Sequence, residues 1–438
     1  MNLRILASRW DPFVEALRAR EDVETAGVIL AERLAGGVLL ARELHLVPDD
    51  GYQIRRVDQL RIDPVAINRM VRPARDKGWS VFTVHTHPGT DSPWFSAADD
   101  AGDARLMPAF LAQTSGPHGS LVVAGTTGTA VGRVWHGPGE PSPLPLRIVG
   151  RQVRSFAPED RPEPGSWFDR QRLALGEHGH AILRDLHVGI VGLGGTGSAT
   201  LTQLAHAGIG RLTVVDGDLV EASNVSRIVG ATAEDAGLTW KVDVAQRYSR
   251  QLGLGGEVRA LRGHVGTGVL PRELESCDVI FSCVDGHSPR ALLNRLAYAR
   301  GIPTIDMGTA FRVDRTGLVV GAAGRVVIIG PGRPCLACWG HIDPQRLRVE
   351  ALSTEDRAFE AAEGYIQGAD VAQPSVIAFN TTVSGAAVVE FLRLVAGFAD
   401  ADPPLRLSFD FMTGAVRRNR LAVSVACTIC GAEEPRGT

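Results

Sequence analysis

Residues 81–99 read VFTVHTHPGTDSPWFSAAD. His85 and His87 are two apart on a predicted strand, so both imidazoles project from one face. Asp99 follows a loop and stands three residues past Ser96. SAAD reads as the start of a helix capped by Ser96, which would aim Asp99 back at that loop. Two histidines and one carboxylate leave a fourth tetrahedral position open for water, the arrangement of a catalytic zinc. Zinc brings the pKa of such a water towards neutrality. A group to accept its proton is still required. Glu24, in ETAGVIL, stands directly before an apolar strand, where a charge is costly unless it has a partner or a task. Glu32, in AERL, is the alternative acid, on what reads as a loop or turn edge.

A second set lies further along. LHVGIVGLGGTGSAT carries Gly192, Gly194 and Gly197 as GxGxxG between a strand and a helix, where glycine lets backbone approach a phosphate. Asp216 ends the next strand, the usual place for an acid that binds ribose hydroxyls, so NAD and ATP both fit at this point. DGDLVEASNVSR follows at 216–227, with Lys241 14 residues on. Asn224, Arg227 and Lys241 bring more polar and cationic groups to the phosphate end than a dinucleotide needs. Arginine outnumbers lysine 44 to 2 among the 46 basic residues, so Lys241 is no random surface cation. Asp285, in CVDGHSPR, falls just past a strand end, where a carboxylate can hold Mg²⁺. Cys335/Cys338 and Cys427/Cys430 form two CxxC pairs, read as zinc knuckles with 88 residues between them. Four thiolates leave no open position, so this second zinc is expected to be structural. The remaining cysteines are Cys277 and Cys283, the latter on a strand, where a buried thiol is inert.

The elements that must position these groups fall into two halves. Pro- and charge-rich sequence between Gly137 and Ser166 marks a linker, which gives domains at 1–150 and 166–438 joined by 151–165. The first half reads as mixed α/β. A helix is expected over Leu3–Arg20, strands at Gly27–Leu30 and Gly37–Val47, and a helix from Asp63 to Asp76. Further strands are expected at Trp79–His87 and Leu121–Gly125. The second half alternates strands (186–193, 211–216, 278–283, 303–307) with helices (196–207, 241–252, 289–299), the rhythm of a Rossmann-like, doubly wound parallel sheet.

Glu24, then His85-Thr86-His87-Pro88, then Ser96 and Asp99 resemble the JAMM/MPN metalloprotease motif, over about residues 20–125. The resemblance implies a deubiquitinase-like isopeptidase. His85, His87 and Asp99 would ligate zinc, Glu24 would take the water's proton, and Ser96 would stabilise the tetrahedral oxyanion. GLGGTGS, D216-G-D218-x-V-x-x-S-N224-x-x-R227, the helix Lys241 and the acid Asp285 resemble the ThiF/MoeB superfamily of ubiquitin-activating adenylyltransferases, over 167–431. That implies ATP and Mg²⁺ as cofactors, a structural Cys₄ zinc and a homodimer. Phe168-Asp169-Arg170-Gln171 is similar to the family's opening segment, in which the arginine reaches the partner's ATP; this makes Arg170 a finger acting in trans, with a solvated helix-end charge as the alternative. Thioester-forming relatives carry a cysteine after the first knuckle. The segment TEDRAFEAAEGYIQGADVAQPSV has none, so no enzyme thioester is expected.

With 438 residues, 44% hydrophobic and net charge −3, the chain has the composition of a soluble protein and no broad attraction to nucleic acid or membrane. Arg4, Arg9 and Asp11 interrupt any secretory signal core. No run of about 18 apolar residues occurs. Paired CxxC usage points to a reducing cytosol. The combined reading is a bacterial fusion that trims and adenylates the tail of a small ubiquitin-like protein, with a conjugating enzyme or sulfur donor downstream. The alternative is a peptide-adenylating enzyme of natural-product biosynthesis with a maturation protease.

Overall fold

A computed structural model describes residues 1–156, 165–254, 256–353, 355–357, 359, 374–398 and 406–431. The chain divides into two units, Met1–Glu163 and Pro164–Thr438. In the first unit the chain runs β1 (Asn2–Leu6), α1 (Ala7–Arg18), β2 (Ala26–Arg33), β3 (Val38–Leu46), the hairpin β4 (Tyr52–Arg55) and β5 (Leu60–Ile62), and α2 (Pro64–Lys77). It continues as β6 (Ser80–His87), α3 (Ala97–Gln113), β7 (His118–Ala124), β8 (Ala130–Trp135), β9 (Ser142–Pro143), β10 (Leu146–Val149) and β11 (Val153–Phe156). One nine-stranded sheet takes the order β11-β10-β1-β3-β2-β6-β7-β8-β9 among the described residues.

Alternation along β2 assigns the two faces. Ile29 and Ala31 join Trp10, Phe13 and Leu17 of α1 in one cluster. Val28 and Leu30 meet Ile67 and Val71 of α2 and Met107 and Phe110 of α3 in another. The layers are therefore helix, sheet, helix. Asp63 caps α2 by accepting from Val65 N at 2.7 Å, and Pro64 opens the helix, as the sequence signals.

Two expectations need correction here. Leu3–Leu6 is not helical: it is β1, wholly buried and paired in parallel with β3 and β10. Helical spacing over 3–20 is real, but distant strand partners decide the first turn. The expected linker also starts too early. β11 pairs antiparallel with β10, with Val149 opposite Val153, so the sheet continues through Phe156. Residues 157–164 lie outside the described residues.

The second unit begins with α4 (Asp169–Asp185) and continues β12 (His187–Val191), α5 (Gly195–His206), β13 (Arg211–Asp216), α6 (Lys241–Leu252), β14 (Glu257–Arg262), α7 (Leu270–Glu273), β15 (Val279–Ser282) and α8 (His287–Ala299). It ends with β16 (Thr304–Val313), β17 (Val319–Ile329), α9 (Pro344–Glu350), α10 (Ile377–Ala396), β18 (Arg406–Asp410) and β19 (Ala415–Asn419). The sheet order is β14-β13-β12-β15-β16-β17-β18-β19. β14 to β16 are parallel, as the alternation implies. β16 to β19 form an antiparallel meander that the alternation does not show. β16 runs to Val313 rather than stopping at Met307, because β17 pairs along its whole length.

α10 is long and apolar enough, by length and composition, to cross a membrane. In this fold it packs on α5, α4 and β16, and Val383, Ala387, Phe391 and Leu394 are buried.

Candidate active sites

β6 delivers His85 and His87, and α3 delivers Asp99. Ser96 caps α3 as its spacing predicts: Asp99 N donates to Ser96 Oγ at 3.2 Å, while Ser96 N donates to Asp99 Oδ2 at 2.7 Å. This capping box turns the carboxylate back over β6. Asp99 Oδ1 lies 2.9 Å from His85 Nε2, and Oδ2 lies 3.4 Å from His87 Nε2. The two imidazole nitrogens are 3.2 Å apart. Two nitrogens and a carboxylate converging so closely fit a shared cation: zinc ligands at ~2.0–2.1 Å subtend this spacing across a tetrahedral ion. Burial pushes Asp99 up, but hydrogen bonds from His85 and His87 outweigh it and hold the carboxyl well below its ordinary value. It is an anion at neutral pH, as a ligand must be.

Glu24 stands beside this group. Burial raises its pKa, and the nearby His85 and His87 partly oppose the shift. Its position is set through backbone, which sequence reasoning did not find. Glu24 N donates to Arg56 O at 2.8 Å, and Arg55 Nε donates to Glu24 O at 3.1 Å. Thr25 is stitched to Thr86, the residue between the histidines, by Thr86 N to Thr25 O at 3.0 Å and Thr25 N to Thr86 Oγ1 at 3.0 Å. Thr86 is visible in the HxH motif; Arg55 and Arg56, on the β4–β5 hairpin, have no local signal. Glu32 is no loop residue. It lies on β2 and binds Arg42 Nε at 2.8 Å, so it is already ion-paired. Ser96 Oγ donates to Asp99 Oδ2 at 2.8 Å, so in this geometry its hydroxyl serves a ligand.

In the second unit the glycine loop runs from β12 into α5. Gly192 has φ 89°, and a Cβ there would lie 2.7 Å from Cys283 O. A Cβ at Gly197 would lie 1.8 Å from Gly192 O. These two positions admit only glycine. Gly194 differs: among the described residues nothing lies within 4 Å of its would-be Cβ, so they leave open space over the start of α5. That space, at a helix N-terminus, suits a phosphate.

Asp216 accepts from Leu193 N at 2.7 Å and from Asp218 N at 2.9 Å, one bond to each oxygen. It braces the glycine loop first, and spare lone pairs are what a ribose could use. Burial raises its pKa, opposed by Lys241. Lys241 opens α6 and places Nζ 2.7 Å from Asp218 Oδ2 and 3.8 Å from Asp216 Oδ1. Asn224 is buried, and Arg227 Nη1 donates to Ser223 O at 2.6 Å. Ser198, unassigned in the sequence reading, accepts from Val229 N at 3.0 Å and so ties the 216–230 loop to α5. Asp285 lies on the loop after β15 that Gly192 touches through Cys283; it is exposed. Arg170 is exposed near the start of α4.

The four knuckle cysteines converge. Sγ atoms of Cys335 and Cys427 are 3.7 Å apart, those of Cys338 and Cys430 are 3.6 Å apart, and all four lie within 4.8 Å of one another. Thiolates bound to one tetrahedral zinc at ~2.3 Å would be ~3.8 Å apart, so the set fits a closed Cys₄ site. The long gap between knuckles is spanned by α9, α10 and the β18–β19 hairpin. Much of the segment expected to lack a cysteine, 354 and 358–376, lies outside the described residues apart from 359 and 374–376.

Residues 168–429 match the family model described as the ThiF family. The chain belongs to the ThiF family. Residues 7–136 match a second model, prokaryotic homologs of the JAB domain, so a JAB-like domain precedes the ThiF domain. The adenylyltransferase and sulfurtransferase uba4 of Aspergillus fumigatus is 30% identical over 264 residues, 59% of this chain and 50% of that protein. The SAMP-activating enzyme E1 of Haloferax volcanii is 30% identical over 164 residues, 37% of this chain and 57% of that one. The chain thus spans about half the length of the curated relatives it matches. Among solved structures, Escherichia coli MccB with a MccA-N7isoASN ligand has TM-score 0.49 and 16% identity, covering 61% of this ThiF-family chain and 75% of that one.

Proposed function

We propose that the ThiF domain activates the C-terminal carboxylate of a small ubiquitin-like protein with ATP, and that the JAB-like domain cleaves bonds made to the same kind of tail. A tail carboxylate oxygen would bond to the α-phosphorus of ATP as the bond to the β-phosphate oxygen breaks. Acyl-AMP and pyrophosphate result. Lys241 and Arg227 would hold phosphate oxygens, Asp216, Asp218 and Asn224 the nucleoside side, and the glycine loop the phosphates. Mg²⁺ held by Asp285 would neutralise charge on the leaving group. Arg170 would reach the partner's ATP within a homodimer. The observation that carries this reading is the pairing of open space at Gly194 with an exposed Asp285 on the loop locked against Gly192.

In the JAB-like domain the geometry supports hydrolysis. His85, His87 and Asp99 would hold zinc, which when bound supplies an acidified water and a polarised carbonyl. Glu24 would move the proton from water to the leaving amine as the C–N bond breaks. Ser96, whose single O–H donates to Asp99, would turn that hydroxyl to the oxyanion as the tetrahedral carbon forms. A conjugating enzyme or a sulfur donor would receive the activated tail.

The test is ATP–pyrophosphate exchange with a ubiquitin-like protein from the same genome. Exchange should need that protein, and Asp285→Asn should reduce it at least about a hundredfold. Exchange that is unchanged in Asp285→Asn would refute the assignment.

A further inference from the structure

Beside the Asp285 loop lies a group of donors that no role above uses. Asp306 on β16 is fully buried, and three groups share its oxygens. Ser282 Oγ donates to Oδ1 at 2.9 Å and Arg290 Nε to the same atom at 3.2 Å; Arg325 Nη2 donates to Oδ2 at 3.1 Å. Arg290 also donates to the carbonyls of Val284 and Asp285. One carboxylate thus links the Asp285 loop to Arg325 on β17.

Arg325 is next to an unmatched cation. Arg406, on β18, has no carboxylate partner among the described residues, and burial together with the charge of Arg325 lowers its pKa. Its guanidinium lies 5.6 Å from the centre of the Trp339 ring. His341 is close enough to both arginines for burial and their charge to bring its pKa down to about 4, so it is neutral at physiological pH. The first zinc knuckle sets this loop: Trp339 N donates to Cys335 O at 3.1 Å and His341 N to Leu336 O at 2.8 Å.

Among the described residues, four nitrogens here are buried without a hydrogen-bond partner: Arg325 Nε, Arg406 Nε, Trp339 Nε1 and His341 Nε2. Three of them can only donate. Buried donors left unpaired are costly, and their natural complement is an oxygen acceptor. Three guanidiniums against one carboxylate leave this group positive, so an anionic oxygen fits better than a neutral one. All four residues are partly exposed while the unpaired nitrogens themselves are buried, so a ligand would meet the open parts of the side chains first and reach the nitrogens as these shift.

Sheet order separates this site from the phosphates. Asp216 ends β13 and the glycine loop follows β12, whereas Arg325 and Arg406 lie on β17 and β18; β15, with Asp285 after it, stands between. We propose that Arg325, Arg406, Trp339 and His341 form a carboxylate-binding site for the acyl substrate, on the side of Asp285 away from the nucleotide. The inference rests on the adenylation reading for the identity of the ligand as an acyl substrate. The carboxylate is either an acidic side chain close to the tail's terminus or the terminus itself, held here before ATP binds and then released to reach the α-phosphorus.

The test is direct binding to the full chain without ATP, using three probes: acetyl-Gln-Gly-Gly with a free C-terminus, its C-terminal amide, and acetyl-Glu-Gly-Gly amide. At least one carboxylate probe should bind about tenfold more tightly than the neutral amide. The probe that does so identifies the source. Arg406→Gln should abolish the preference, and Arg406→Lys should restore part of it. Arg406 is the informative position because its loss leaves the Asp306 pairs intact; retained zinc and an unchanged unfolding midpoint would verify that fold. Equal binding of all three probes, no binding of any, or a preference that survives Arg406→Gln would overturn the site. Asp285→Asn should keep the preference. Lost exchange activity with the preference intact would remove the adenylation reading alone, and the reverse result would remove this site alone.

Discussion

At the residue scale, Glu24 and His85 should separate chemistry from folding. Glu24 is held by backbone bonds, so Glu24→Gln should keep both metal and fold while lowering isopeptide cleavage about a thousandfold. Metal analysis beside a peptidase assay on an isopeptide-linked substrate checks this; retained cleavage would remove Glu24 as the base. Cys283 makes the opposite case. Burial pushes its thiol up to about 12, so it is not a thiolate at neutral pH. Cys277 is fully buried. A non-reducing gel of the Glu24→Gln chain with ATP, Mg²⁺ and a ubiquitin-like protein should therefore show no reductant-sensitive adduct. An adduct that disappears in Cys283→Ala would make Cys283 a catalytic nucleophile.

At the element scale, α3 must hold one register for Asp99 to meet β6. One turn after Asp99, Asp103 is buried and accepts from Ser120 and from Arg133, whose Nη2 is 2.7 Å away. Arg133 also binds Asp100, which clamps α3 to β7 and β8. Among the described carboxylates, Asp103→Ala leaves Arg133 only the exposed Asp100, and it strips Ser120 of its acceptor, so it should destabilise the first unit by about 2 kcal/mol. Its metal should also leave more readily. Denaturant unfolding and chelator-driven zinc release are the measurements. In the second unit, Asp235 closes the turn before α6 by binding Arg247 Nη1 at 2.8 Å and Nη2 at 2.7 Å. Hydrogen bonds from Arg247 are the main reason its carboxyl sits well below the ordinary 3.8. A depressed folded pKa stabilises fully above the unfolded value and is lost as pH falls through the folded one. Asp235→Asn should therefore lower stability at neutral pH and flatten the decline below pH ~4; an unchanged acid limb would show that the clamp contributes nothing.

At the scale of the whole molecule, the two candidate metal-binding sets differ in kind, with three possible ligands in one and four in the other. Purified chain should carry about two zinc ions, one removed by chelator without unfolding and one retained until unfolding. Cys335→Ser should lower the unfolding midpoint, whereas His85→Ala should lose one zinc at nearly unchanged midpoint. The proposed homodimer has its own check. Mixing Arg170→Ala with Asp285→Ala chains should recover part of the exchange activity, because a mixed dimer contains one complete site. No recovery after verified heterodimer formation would confine Arg170 to its own surface.

Much of both candidate residue groups could be picked out in the sequence because their spacing is local. His85 and His87 share a face through strand alternation, Ser96 and Asp99 meet through helix capping, and Gly197 is fixed by Gly192 only five residues before it, whereas the contact of Gly192 with Cys283 is long-range. The parallel half of the second sheet was legible for the same reason, since alternating strands and helices have few ways to fold. Long-range partners decided the rest. β1 is a strand because β3 and β10 flank it, and β16 extends because β17 runs beside it. Glu24 faces the histidines because Arg55 and Thr86 grip its neighbours. Arg325, Arg406, Trp339 and His341 lie up to 81 positions apart, by the difference of their first and last numbers. No spacing rule joins them: two come from antiparallel strands and two from the loop at the first cysteine pair, and only the closed fold brings their unpaired nitrogens near one another.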